Sequence, residues 1–296
     1  MNGRWIKIYL LAGILALVTV AATETWRRGQ GFRASVIDDK SLWSVQRQKM
    51  GDDPRTLAVL GASRMQLGFS EAAFNGIHPD WRVANLTVNG RYPVAMLQDL
   101  AFNTEFRGVA LVALDARALF TEFHDLQQPW IDYYHRDFGP GLWLNAQLAA
   151  RAQSRRVTAN PDFSLTRRLS AWLGDGLKLQ PTYVIFDTHR WGHADYQQID
   201  ADFHRKHREQ GMQAFYTTYP LPSPEKWLAG TEPLREAAAA IESRGGRVFM
   251  IRMPTDGGYW ALDEQYFPRA KYWDRLAAQP GVRALHFRDD SRLLAY

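Results

Sequence analysis

The run Val109-Ala110-Leu111-Val112-Ala113-Leu114 contains no polar residue. A strand with no alternation has no face to offer to water, so it must be covered on both sides, as strands are inside a parallel sheet. Comparable runs occupy 56–60, 81–88, 247–253 and 284–287, with an extra strand at 183–186. Helical patterns fall between them, at 40–49, 94–102, 263–278 and in the alanine-rich 232–243. Short buried strands alternating with helices predict an α/β fold built on a parallel sheet. The 296 residues suffice for one large domain of this kind or two small ones.

The N-terminal stretch constrains location. Arg4 and Lys7 precede an uncharged segment from Ile8 to Thr23, and Trp5 and Trp26 stand where interfacial aromatics would stand. Residues 5–23 therefore read as a transmembrane anchor or signal segment. Val20-Ala21-Ala22 also offers a small-residue cleavage site, and a buried core helix is the third alternative. With an anchor or a signal, the bulk of the chain lies outside the cytoplasm. Residues 24–54 read as a stalk and a first helix, and 55–296 as the main domain.

Residues 120–230 break the strand–helix rhythm and read as a large, mostly helical and loop insertion capping one edge of the sheet. With no cysteine in the chain, disulfides, cysteine metal sites and a cysteine nucleophile are excluded. The net charge of +5 is spread along the chain, unlike the clustered footprint of a nucleic-acid binder; no nucleic-acid partner is expected. Eleven Trp, twelve Tyr and fifteen Phe give an aromatic-rich chain of the sort that lines carbohydrate sites, although large cores use the same residues.

Ligands of parallel α/β sheets sit at the carboxyl ends of strands. The first strand ends in Gly61-Ala62-Ser63, where glycine permits a sharp turn and serine projects into the crevice as a nucleophile or, more simply, caps the next helix. The second strand leads through Asn85 to Asn89-Gly90, whose glycine N–H is placed to serve as an oxyanion donor or to make a plain turn. The third ends at Asp115, read mainly as a helix cap or brace. In the insertion, Asp187 and His189 follow an apolar run and are the candidate base pair for Ser63. His189 with His193, and His204 with His207, have helical metal-pair spacing, but Arg190, Arg205, Lys206 and Arg208 around them repel a cation.

A strand ending Gly-x-Ser, then an Asn with a Gly five places on, then a third apolar strand, resembles the SGNH (GDSL-like) hydrolase superfamily. The stretches RVFMIRMPTDGGYWALDEQYFPRAKYWDRL and GVRALHFRDD look like its membrane-anchored bacterial members, which are linked to O-acylation of extracytoplasmic polysaccharides. The resemblance covers about 55–120 and 230–290. It implies a three-layer α/β/α fold with a flavodoxin-like, SGNH-type parallel sheet. Ser63 would be the nucleophile and Gly90 the oxyanion N–H, in a serine esterase or O-acyltransferase that needs no metal or organic cofactor. Its expected place is the bacterial inner membrane, single-pass, with the domain in the periplasm or outside the cell. Its partners would be polysaccharide or an acylated small molecule, and a membrane acyl-donor protein. Two departures stand out. The third block lacks its Asn, having Leu114-Asp115-Ala116, and no Asp-x-x-His, the block that carries the base, occurs in the final thirty residues. His286 precedes Asp289 and Asp290, in the reverse order. The base thus lies beyond these residues or elsewhere in the chain, or the protein is a catalytically inactive polysaccharide-binding or scaffold module of an export complex.

Overall fold

The computed structural model describes residues 3–160 and 182–294. Five of its strands form one sheet: β1 (Thr56–Leu60), β2 (Arg82–Asn85), β3 (Val109–Ala113), β6 (Arg247–Arg252) and β7 (Ala284–His286). They lie in the order β2-β1-β3-β6-β7, and every pairing is parallel. The chain runs from β1 outward to β2, then crosses back to β3 on the other flank of β1. The order therefore reverses between β1 and β3, and a crevice opens at their carboxyl ends. The run at 183–186 joins a different sheet: β4 (Val184–Phe186) pairs antiparallel with β5 (Gly192–Ala194).

The helices are α1 (Gly3–Gly29), α2 (Lys40–Arg47), α3 (Ser63–Gly68), α4 (Glu71–Ile77), α5 (Val94–Phe102), α6 (Gln128–Arg136), α7 (Pro140–Gln153), α8 (Ala201–Thr218), α9 (Pro224–Ala229), α10 (Glu232–Ser243), α11 (Gly257–Tyr266) and α12 (Trp273–Ala277). The helical pattern read over 263–278 is thus two helices. Pro268 divides them, because a residue before proline is pushed out of the helical region; the first helix ends at Tyr266 and Phe267 leaves it at φ −130.

Side chains alternate across the sheet with the two-residue period of a strand. Ala58, Leu60, Ala110, Val112, Val248 and Met250 face one cluster, built with Leu97 and Leu100 of α5 and Leu234 and Ile241 of α10. Leu57, Val59, Val83, Leu111 and Ile251 face the other, with Met65 of α3, Phe74 of α4 and Trp191. β1 is apolar throughout because both of its parities are buried, whereas on β6 and β7 one parity stays open and leaves Phe249 and Leu285 exposed.

The segment read as a stalk is knitted into this body. Trp43 of α2 is fully buried and its indole N–H donates to the Leu86 carbonyl at 3.2 Å. Arg47 pairs with Asp99 of α5 at 2.5 Å, both side chains buried. The Val36 N–H donates to the Phe186 carbonyl at 2.9 Å. Helix α1 is long and apolar enough to cross a membrane, and its apolar window is not buried against the rest of the chain. Its polar end is fastened to the domain. Glu24 accepts from the Val157 and Thr158 N–H groups at 2.9 and 3.0 Å and from the Thr158 hydroxyl at 2.9 Å. Arg28 donates to the Arg155 carbonyl at 2.8 Å.

Residues 120–230 carry α6 to α9 and the β4–β5 pair, with α6 and α7 packed on α2. The basic pair Arg167-Arg168 and the stretch TRRLSAWLGDGLKL lie outside the described residues.

At the end of β1, Gly61 has φ +149, and a Cβ there would stand 3.0 Å from the Ala113 Cβ and 3.1 Å from the Met65 Cβ. The backbones of β1, β3 and α3 close on this point only because a side chain is missing. Gly61→Ala is expected to cost about 1–3 kcal/mol of folding stability. Chemical denaturation of the full chain in mild detergent checks this, and an unchanged midpoint would refute the close approach.

Candidate functional site

Ser63 is the first residue of α3, immediately past the end of β1. The residue before it, Ala62, holds the cap position and makes no side-chain cap bond. The serine hydroxyl makes no hydrogen bond to any other described residue, so it is not spent on the local structure. It opens onto a cavity of about 890 Å³ that Asn89 also lines. The end of β2 is brought beside it by the Val88 N–H, which donates to the Gly61 carbonyl at 3.0 Å. Two residues on, Gly90 turns the chain in the left-handed region, φ +69, in an exposed position.

The next residue, Arg64, locks the start of α3 across the sheet. Its guanidinium donates to Asp115 at 2.8 Å and to the Thr255 hydroxyl at 2.7 Å. Asp115 does what a carboxylate at a strand end is expected to do. It caps the turn Ala116–Leu119 through the N–H groups of Arg117 and Ala118, and it braces Arg64 and Arg117. Burial opposes its charge, yet the guanidinium groups of Arg117, Arg64 and Arg252 outweigh that and hold its carboxyl far below the ordinary range. Arg252, at the end of β6, is buried and paired with Asp263 of α11. Desolvation and the charge of Arg64 push its guanidinium down. Three guanidinium groups thus share two carboxylates at the carboxyl end of the sheet. Burial pushes up the Tyr92 and Tyr216 hydroxyls beside them, so both stay neutral.

Behind Ser63 lies a second polar knot. Arg190 has a backbone in the left-handed region, φ +71, and is 1% exposed. Its guanidinium donates to Asp38 at 2.5 Å, to the Asn85 carbonyl at 2.6 Å and to the Thr87 carbonyl at 2.8 Å. Gln66 of α3 closes the circuit, donating to Asp38 at 2.6 Å and to the Arg190 carbonyl at 3.2 Å. Asn85, the asparagine of the second motif, uses its side-chain oxygen on the N–H and hydroxyl of Thr87.

The candidate base pair is held elsewhere. The Asp187 carboxylate accepts the backbone N–H groups of His189 and Trp191. His189 pairs through Nδ1 with Glu71 of α4 at 2.8 Å. That hydrogen bond, donated to the Glu71 carboxylate, outweighs burial and raises the His189 imidazole above its ordinary value. Neither His189 nor Asp187 is hydrogen-bonded to Ser63 or lines the cavity with it. Gly192–Ala194 is a strand, so His189 and His193 are not a helical pair. Among the described residues no group of three His, Asp or Glu side chains is arranged to hold a metal ion.

His286 ends β7 and is 2% exposed, walled by the rings of Trp260, Trp273 and Phe287, with Nδ1 accepting the Arg288 N–H at 3.1 Å. Burial, with the charges of Arg269 and Arg252, pushes its imidazole down to about 4. It is uncharged at neutral pH, and its Nδ1 is committed to the Arg288 N–H.

Two outcomes follow. Arg190→Met leaves the largely buried Asp38 charge without its cation, with only Gln66 still donating to it, and takes the donor from two carbonyls at and just past the end of β2; it is expected to lower stability by about 3–5 kcal/mol, and a loss below about 1 kcal/mol in denaturant titration would contradict the knot's role. For His286 the folded value lies below the unfolded value of about 6.5. The native state refuses a proton that the unfolded chain accepts, so stability is full above about 6.5 and is lost as pH falls toward about 4, by on the order of 3 kcal/mol. His286→Asn keeps an acceptor for Arg288 and removes the titration. The stability difference between neutral pH and the acid end should shrink by that amount, and an identical difference in both proteins would refute it.

No family model, curated protein or solved structure matches this chain.

Proposed function

We propose that the chain is a membrane-tethered serine esterase or O-acyltransferase of SGNH type, acting on polysaccharide or cell-wall polymer outside the cytoplasm. The observation that carries the reading is Ser63: its uncommitted hydroxyl stands where the sheet order reverses and opens on a cavity of about 890 Å³, within the usual size range of small-molecule sites. The strand order β2-β1-β3-β6-β7, with helices packed on both faces, suits the three-layer α/β/α arrangement of that superfamily.

In this reading Ser63 Oγ attacks an acyl carbonyl and the donor alkoxide leaves with the serine proton. The N–H groups of Ser63 and Gly90 receive the oxyanion. A sugar hydroxyl or water then takes the acyl group and returns the proton to Ser63. A membrane acyl-donor protein would supply the transferase form. None of the described residues is hydrogen-bonded to Ser63, so in this reading the base engages the serine only once substrate is bound.

That same observation favours a second reading, in which the domain is a non-catalytic polysaccharide-binding or scaffold module. The two separate on one assay. The full chain in mild detergent is expected to release p-nitrophenol from its acetate ester at least tenfold faster than Ser63→Ala, as loss of a nucleophile demands. Equal rates in the two proteins would hand the site to the binding reading.

A further inference from the structure

The cavity beside Ser63 has a composition of its own. Among the described residues that line it, the charged ones are Arg64 and Arg208, and no carboxylate is among them. Arg64 spends two of its five N–H donors on Asp115 and Thr255, which leaves three for a ligand. Arg208, on α8, makes no ion pair with another described residue. It stands one helical turn from Met212, whose sulfur accepts from Arg117 at 2.7 Å. Arg64 thus belongs with Arg117 and Arg252 to a half-buried cluster at the carboxyl end of the sheet, where three guanidinium groups outnumber the two carboxylates of Asp115 and Asp263, and Arg208 adds a fourth cation at the cavity. A partly buried excess of positive charge favours an anion beside it.

The floor of the cavity is apolar, while Gln66, Asn89, Thr182, Tyr183 and Tyr196 bring polar groups to its rim. Leu111 and Ile251 project from the sheet, with Met253, Phe69 and Phe186 around them. The strip does not stop at the cavity. In the sheet register Leu111 lies beside Phe249, and Ile251 beside Leu285. Phe249 is 39% exposed and Leu285 41% exposed, an unusual cost for large apolar side chains on one face.

We propose that this cavity binds an anionic amphiphile: a carboxylate or phosphate head against Arg64 and Arg208 beside Ser63, and an acyl chain along Leu111, Ile251 and Met253. The proposal rests on the reading of this cavity as the acyl site of Ser63 and names the class of donor it accepts. The charge at one end and the apolar strip leading away from it select such a molecule over a neutral sugar. They also select it over a short acyl group such as acetate, which would leave the strip uncovered.

The test uses the full-length Ser63→Ala chain in nanodiscs, so that no acyl transfer consumes the probe and the result is independent of the esterase assay. The probe is a diazirine-bearing dodecanoate, with cross-linked peptides read by mass spectrometry. Label is expected on peptides covering 63–69 and 249–254, besides the lipid-partitioned background on α1. Excess dodecanoate should remove the cavity label, and dodecyltrimethylammonium should not. Arg208→Glu should lower the cavity label about tenfold, the size of one lost charge-assisted contact, and Arg208→Lys should keep most of it. Label confined to α1, equal displacement by both competitors, or an unchanged yield in Arg208→Glu would each overturn the proposal.

Discussion

The arrangement around Ser63 depends on one buried guanidinium. Arg190 gathers the carbonyls of Asn85 and Thr87, the carboxylate of Asp38 and, through its own carbonyl, the amide of Gln66. Those partners come from the end of β2, the segment before α2 and the middle of α3. Each element ends in polar backbone that a sheet cannot satisfy, because the ladder stops there. One planar cation with five donors meets three of them at once, which a lysine could not do with its compact charge. The left-handed backbone of Arg190 is the strain accepted to aim that side chain inward.

The front of the crevice is tied by the opposite device. Asp115 is a single anion between Arg64 and Arg117, with Arg252 near enough to hold its charge in place. Arg64 follows Ser63 in the chain, so its bonds to Asp115 and Thr255 fix α3 across β3 and the turn after β6. The serine is therefore held from both sides while its own hydroxyl stays uncommitted. Preorganisation of this kind is what a reacting or binding group requires.

The centre of the sheet was legible because its strands are covered on both faces, β1 completely. Such strands read as unbroken apolar runs, and 56–60, 94–102 and 232–243 match Thr56–Leu60, Val94–Phe102 and Glu232–Ser243 residue for residue. Ser63 and Asn89 were legible through their place at strand ends. The arginine clusters were not, because their partners are far apart in sequence: Arg64 reaches Asp115 and Thr255, and Arg190 reaches Asp38 and Thr87. A charged residue that will be buried looks, in one dimension, like one that will be solvated. The same blindness made Arg190 a repulsive neighbour of histidines rather than a hub, and hid the ties by which Val36 and Asp38, ahead of the first helix, join the domain. The helix over 263–278 was misjudged for a local reason, the weight given to Pro268.

The bonds between Glu24 and residues 157–158 have a mechanical consequence. A domain on a flexible tether samples a hemisphere and meets dissolved partners in three dimensions. Here the end of α1 is gripped by the domain, and the chain after it threads straight into the core at Val36 and Asp38. With α1 in a bilayer, the domain cannot swing: its height and tilt follow those of the helix, like a lamp on a rigid post. The mouth beside Ser63 then patrols one plane parallel to the lipid. What reaches it is decided by lateral diffusion and by how far a partner protrudes from the membrane, not by the length of a leash.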